Sequence, residues 1–238
     1  MQQIPEYCIM SIVATEQAKT MAVKKRASRG KTVAHDEKRL KIVAQCANLF
    51  DQVGYHRATM QMLADEVGLG KPSLYHYFAS KTDILYEMHQ MHIAALIDGL
   101  NAEVGKVSDP GELLKRACTD ILREIAEHPG YVRAFMDHYA ELEGKKRIEI
   151  RNRRQEYFKR ICDIITKGIA DKTFRPCDPE VTAYAFLGMC SWAYKWYPPM
   201  ATTRAPEEVA DAIATVFIDG LRASKKASPT ATRSTEKK

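Results

Sequence analysis

"LADEVGLGKPSLYHYFASKTDIL", residues 63–85, decides how this chain is read. An apolar-patterned run stops at Gly68-Leu69-Gly70, and a stub over 71–78 follows with Pro72 near its front and Tyr75, His76, Tyr77 and Phe78 crowded behind. Gly68 and Gly70 let the backbone turn sharply, since a residue without Cβ reaches conformations barred to others. Leu69 between them is placed to plug the corner. Pro72 falls in the first turn of the stub, where a missing N–H costs nothing. Leu74 and Phe78, four apart, share a helical face and bury it against the preceding helices. A helix, a short glycine turn and a second short helix make a helix-turn-helix. Two turns of helix span roughly 10 Å, which suits a major groove about 12 Å wide. Lys71, Ser73, His76 and Tyr77 point away from the buried face, with Tyr75 at the boundary. Short polar or cationic groups there reach base edges, and tyrosine hydroxyls reach phosphates. The competing reading is a structural corner in a helical protein.

Working outward, almost every periodic segment has the helical period and no period-2 strand stands out, so the expected fold class is all-α. A helix is expected over 36–53, with Leu40, Val43, Ala44, Ala47 and Phe50 on one face and Gly54 as its stop. Thr59 is a good N-cap for a second helix. "SKTD" at 80–83 has the capping-box pattern and opens a helix to about residue 103. Longer helices are expected over 110–127, 130–142, 145–170, 179–197 and 206–222. "CDPE" at 177–180 marks a start, with Asp178 as cap and Pro179 in the first turn. "WYPP" ends that helix. The expected organisation is a basic arm at 1–35, a helix-turn-helix unit at 36–83, a ligand-binding and dimerisation unit at 84–222, and a polar tail at 223–238.

The chain has 238 residues and a net charge of +6, distributed unevenly. Six basic residues and no acid lie between Lys19 and Lys31, while residues 32–221 hold 24 basic and 27 acidic residues. The positive excess therefore sits on the two ends, a pattern suited to polyanions or simply to solubility. The unit at 36–83 is neutral, with six residues of each sign, so nonspecific phosphate attraction is expected to come from the arm. The six cysteines (Cys8, Cys46, Cys118, Cys162, Cys177, Cys190) show no CxxC pair and no metal-ligand spacing, as expected of free thiols in a reducing cytoplasm. No apolar run reaches the length of a membrane span. Neither a nucleophile–base–orienter set nor a glycine-rich loop after a strand stands out, so an enzyme is not expected. His89 and His92, at i and i+3, lack a third ligand nearby, and no metal or cofactor is expected.

Residues 38–88, and the opening stretch above all, resemble the DNA-binding domain of TetR (tetracycline-repressor) family transcriptional regulators. The resemblance implies nine or ten helices, an N-terminal three-helix reader and a helical ligand-binding body. It also implies a homodimer that holds palindromic double-stranded operator DNA, usually as a repressor, until a small molecule binds. By position, it places Gln61, Lys71, Pro72 and Ser73 at bases and Thr59, Tyr75, Tyr77 and Lys81 at phosphates, with His76 suited to either. Departures are mild: the family often has Ser in place of Gly70 and Gly in place of Pro72.

Two segments of the body stand out. In "DHYAELEGKKRIEIRNRRQEYFKR" (137–160), Arg147, Arg151 and Arg154 share a helix face, fit for an anionic ligand or for solvent among Glu143, Glu149 and Glu156. In "VTAYAFLGMCSWAYKWYPP" (181–199), Val181, Tyr184, Ala185, Gly188, Trp192 and Trp196 form a stripe suited to core, interface or pocket. The resemblance implies that the last two helices pair across the dimer axis, with Val209, Ile213, Val216 and Phe217 on the apolar side of the final one. Residues 167–199 also resemble a TetR subgroup that regulates fatty-acid, sterol or aromatic catabolism and responds to acyl-CoA thioesters. Lys172 stands where that subgroup has a glycine ending the helix. The expected effector is hydrophobic or acyl-CoA-like, and its expected lining is Phe135, His138, Tyr139, Arg151, Tyr184 and Trp192. A regulator of drug efflux, or an interaction module without DNA binding, is the alternative.

Overall fold

The computed structural model describes residues 35–222, so the expectations for both charged ends lie outside the described residues. Nine α-helices occur among them, and no strand: α1 (35–53), α2 (Met60–Glu66), α3 (Lys71–Tyr75), α4 (Lys81–Glu103), α5 (Pro110–Glu127), α6 (Pro129–Asp137), α7 (Gly144–Ala170), α8 (Pro179–Trp192) and α9 (Pro206–Leu221). The all-α expectation holds.

Local chemistry sets most boundaries. Thr59 caps α2 by accepting from the Met62 N–H at 3.2 Å. Ser80 caps α4 by accepting from the Asp83 N–H, and its hydroxyl donates back to the Asp83 carboxylate at 2.8 Å. Asp178 caps α8 through the N–H groups of Glu180 and Val181. Three helices stop earlier than their sequence pattern, and the first is α3, expected to reach 78 but ending at Tyr75 with His76 as its cap. The segment after α6 tightens into a 3-10 turn at Tyr139–Glu141, and α8 gives way to one at Ala193–Lys195 before Pro198. A helix approaching a proline loses its last regular turn, because the residue before proline is pushed out of the helical region. In α1 the buried face is Ile42, Val43, Cys46, Ala47, Leu49 and Phe50, while Leu40 and Ala44 are exposed. Arg39 covers the core there instead: its guanidinium lies 4.2 Å from the Phe78 ring centre, donates to the Tyr77 carbonyl and pairs with Glu87 of α4 at 2.5 Å.

Lys172 ends α7 at φ 59, the left-handed geometry that a glycine takes without penalty. The turn is closed by the Phe174 N–H donating to the Gly168 carbonyl at 2.9 Å. Replacing Lys172 with glycine is expected to stabilise the fold by about 1 kcal/mol, read as a higher urea midpoint at unchanged slope. An unchanged or lower midpoint would show that the side chain recovers the backbone cost.

Helices α1–α3 form a small unit whose core is Leu63, Leu74 and Phe78, with Leu69 half-buried at the corner. Helices α5 and α9 pack along one another, α7 lies against α4, α5 and α8, and α4 runs from the small unit into the body. The two parts meet closely along α6. At Gly130 a Cβ would come 2.6 Å from the Ala47 carbonyl oxygen of α1, a distance only glycine allows.

Candidate functional site

The surface of α3 is the first candidate. Leu74 is fully buried and anchors the stub, which leaves Lys71, Pro72, Ser73, Tyr75 and His76 exposed on its other side. Gly68 sits at φ 65 in the preceding turn, which L side chains rarely adopt. Thr59 and Gln61 are exposed on α2, and the Gln61 amide donates to Asp65 one turn on, at 2.8 Å. Tyr77 is half-buried, its ring stacked on His35 at 4.9 Å. Lys81 differs from the expected free phosphate contact. Its ammonium already donates to the carbonyls of Tyr55, His56 and Ala58 at 3.0–3.3 Å and lies 4.5 Å from the Tyr55 ring centre. The loop from 54 to 59 leaves those carbonyls without helical partners, and the nearest cation takes them.

The second candidate is a cavity of 590 Å³ enclosed by α4, α5, α6, α7 and α8. That volume suits a drug-sized or acyl-type ligand. Phe135, Tyr139, Arg151 and Tyr184 line it as expected. Arg154 lies farther in, its guanidinium 4.3 Å from the Phe135 ring centre and 4.8 Å from that of Tyr139. Most of the remaining wall is aliphatic, with Ile93 and Leu96 from α4 and Ile121 and Ile125 from α5. Exposed Arg151, Gln155, Glu180 and Tyr184 mark the mouth between α7 and α8.

His138 and Trp192, expected at the cavity, lie elsewhere. Helix α6 ends at Asp137, so His138 turns toward the small unit and packs on Tyr55 and His56, ring centres 5.2 and 5.7 Å away. Trp192 is 62% exposed on the outer side of α8. His92, Tyr157 and Leu187 are wall residues the sequence reading missed. Of these, only His92 gave a sequence signal, through its spacing from His89. His92 contacts Glu124 at 3.1 Å, while His89 is fully buried with neither ring nitrogen bonded. Among the described residues no group of three or more His, Cys, Asp or Glu is placed to hold a metal ion, and no helix is long and apolar enough to cross a membrane.

The junction between the two candidates is tightly built. Arg133 of α6 reaches Asp51 of α1 at 2.9 Å, Lys146 of α7 pairs with Asp83, and the Tyr55 hydroxyl meets Thr82 at 3.1 Å. Helix α6 thus carries Phe135 in the cavity wall and Gly130 against the small unit. A third feature is apolar and uncovered: Val181, Tyr184 and Trp192 on α8 are 64%, 67% and 62% exposed, and Val216 on α9 is 72% exposed. Gly188, on the same helix, has open space around it. Val209 instead turns inward with Ala210, Ala214 and Ile218 and is buried within the chain.

Comparison with known proteins agrees with this geometry. Residues 42–88 match the family profile described as bacterial regulatory proteins, tetR family, and residues 107–221 match the tetracyclin repressor-like C-terminal domain. The transcriptional activator FasR of Mycolicibacterium smegmatis is 31% identical over 113 residues, which are 47% of this chain and about half (51%) of FasR. The transcriptional repressor KstR2 of Mycobacterium tuberculosis is 27% identical over 168 residues, covering 69% of this chain and 83% of KstR2. Its solved structure, that of a ketosteroid transcriptional regulator, superposes with a TM-score of 0.72 at 22% identity over 78% of this chain and 95% of KstR2. AibR, solved with isovaleryl coenzyme A and operator DNA, superposes with a TM-score of 0.68 at 24% identity, covering 75% of this chain and 97% of AibR. With a three-helix reader at its N-terminal side and a cavity-bearing helical body behind it, both matched by the corresponding profiles, the chain belongs to the TetR family.

Proposed function

We propose that this chain is a cytoplasmic, ligand-responsive DNA-binding regulator rather than an enzyme. It acts as a homodimer on a palindromic operator and is released when an apolar or acyl-CoA-type effector fills the body cavity. One observation carries this reading: helices α4 and α6 form part of the cavity wall and also hold the reader. A ligand that binds better to a different placing of these helices weakens DNA binding by its differential affinity, about 5- to 150-fold for a coupling of 1–3 kcal/mol. Exposed Lys71, Pro72 and Ser73 at the front of α3, with Gln61 on α2, read bases, and His76 at its end serves either bases or phosphates. Thr59, Tyr75 and Tyr77 hold phosphates, while Lys81 contributes by ordering the loop beneath them. The acyl-CoA preference draws support from AibR, whose structure holds isovaleryl coenzyme A. The repressor assignment draws on KstR2; FasR is an activator, so repression and activation both occur among relatives.

The test is a gel shift on the DNA upstream of the protein's own gene. The wild type should retard one fragment, and Lys71→Ala combined with Ser73→Ala should weaken it by about tenfold or more, at 1–3 kcal/mol per base contact. A wild type that ignores every upstream fragment would favour an interaction module without DNA binding. Equal retardation by the double variant would move the reading face off α3.

A further inference from the structure

Of the two arginines in the cavity wall, neither is balanced by a carboxylate among the described residues, and Arg154 is the one withdrawn from solvent, Arg151 being exposed at the mouth. Arg39 meets Glu87 at 2.5 Å, Arg133 meets Asp51 at 2.9 Å, and Arg160 meets Glu156 at 2.7 Å. Arg154, half-buried in the wall, has only a 3.5 Å bond to the Phe135 carbonyl and the faces of two aromatic rings. Burial works against its charge and lowers its proton affinity, yet a guanidinium does not give up its proton in a protein. A cation withdrawn from water without a counter-charge is costly, and a charge perturbed by burial inside a cleft marks a candidate binding site. The acid nearest in role, Glu180, is exposed on the first turn of α8 at the mouth. Among the other polar wall groups, His92 holds Glu124, Arg151 and Gln155 are exposed, and the buried Tyr157 hydroxyl is unbonded but carries no charge to attract an anion.

We infer that the cavity selects a ligand with an apolar body and one anionic group, and that Arg154 is the seat of that group. This rests on the reading of the cavity as the effector site. The guanidinium fork takes a carboxylate or phosphate with two parallel hydrogen bonds, and the aliphatic wall takes the body. The anion comes either from a free carboxylic acid or from the phosphates of a thioester carrier. Seating it also bears on the connector. The rings that Arg154 covers, Phe135 and Tyr139, are those that touch His89 of α4, with centres 5.2 and 6.2 Å away. An anion that draws the guanidinium off them changes the packing against α4.

The experiment titrates the full-length protein by calorimetry with decanoate, decanamide and decanoyl-CoA, which share one apolar chain. Decanoate, the thioester or both should bind, and decanamide should bind at least about tenfold more weakly, a factor equal to 1.4 kcal/mol. Arg154→Met should abolish that preference and Arg154→Lys should keep part of it. Binding of decanoate alone identifies a carboxylate, and Arg154-dependent binding of the thioester identifies a phosphate. Decanamide binding as tightly as the anions, no binding of either anion, or an undiminished preference in a folded Arg154→Met variant would each overturn the inference. Should Arg154→Met fail to fold, as judged by circular dichroism, the wild-type comparison of acid, thioester and amide decides. A parallel gel shift separates the two readings. Arg154-dependent anion binding by a protein that retards no upstream fragment defeats the regulatory reading alone. Release of a bound fragment equally by amide and acid defeats this inference alone.

Discussion

Glutamate in place of Val216 should leave each protomer folded, split the dimer and lower operator affinity by about 100-fold or more. Val216 is 72% exposed within the chain, and substitutions at such positions normally shift stability by less than about 0.5 kcal/mol. Its neighbourhood makes it the sensitive position. Val181, Tyr184 and Trp192 of α8 are similarly uncovered, an apolar exposure that a soluble protein usually reserves for a partner. In a two-fold interface the same patch serves both copies, so one substitution introduces two carboxylates into the contact. Operator binding multiplies this loss. Two linked readers gain about 10²–10⁴ over one through effective concentration, and a monomer forfeits it. Sedimentation should show the monomer at micromolar concentration, and the gel shift should show the loss. Since a protomer freed from its partner loses the stability that association supplies, melting curves are compared at matched concentration. A dimer that survives Val216→Glu and also Trp192→Glu would place the two-fold axis on another face.

The parts of this architecture that local chemistry dictates were legible in the sequence. Thr59, Ser80 and Asp178 cap the helices they were expected to cap, and Lys172, marked in the sequence as standing in place of a glycine of the resembled subgroup, takes left-handed geometry. These depend on a few neighbouring atoms. Orientation was harder to read. Helix α8 is apolar nearly all round, so one period serves a core face (Ala183, Phe186, Cys190), a cavity face (Leu187, Ser191) and an outer face (Val181, Trp192). Periodicity cannot apportion three apolar faces among three environments, and Trp192 was accordingly misplaced. His138 was misplaced because the end of α6, one residue earlier, rotates it out of register with Phe135. Lys81 shows a different limit: its motif position matches a phosphate contact, but the orphan carbonyls that occupy it come from a loop more than twenty residues away.

The unpaired groups in the body connect stability to switching. Arg154 and His89 face the same two rings from opposite helices, and neither has an ionic partner among the described residues. A fold optimised only for stability would fill both positions with apolar side chains of similar volume. Both groups stand between the cavity and α4, on the two rings that join them, so a ligand that rearranges either group has a packed route to the connector.

Replacing His89 with leucine should therefore raise stability at neutral pH and flatten its dependence on pH. His89 is fully buried on α4; the Ala134 carbonyl is close, but the geometry falls short of a hydrogen bond. Burial, followed by the positive charge of Arg154 and then by His92 and His138, pushes its pKa down to about 3 from an ordinary 6.5. The folded state thus keeps the imidazole neutral over a range in which the unfolded chain protonates it. Where the unfolded state binds more protons, stability rises with pH, so acidification from pH 6.5 toward 3 removes stability. At pH 5 the loss from this one residue is about 2 kcal/mol, at 1.36 kcal/mol for each pH unit crossed. Leucine removes that term. At pH 7 it also removes two buried, unbonded nitrogens, each class of defect costing about 1–3 kcal/mol. Urea melts of wild type and His89→Leu at pH 7 and pH 5 measure both effects. The variant should be more stable at pH 7, and its advantage should widen by about 2 kcal/mol at pH 5. Parallel loss of stability in the two proteins would mean that His89 finds a proton-accepting partner in solution. The same variant should hold its operator through effector concentrations that release the wild type, because leucine removes the ring contacts with Phe135 and Tyr139 that join the cavity wall to α4. Unchanged release would separate the buried histidine from the switch and leave Arg154 and α6 to carry it.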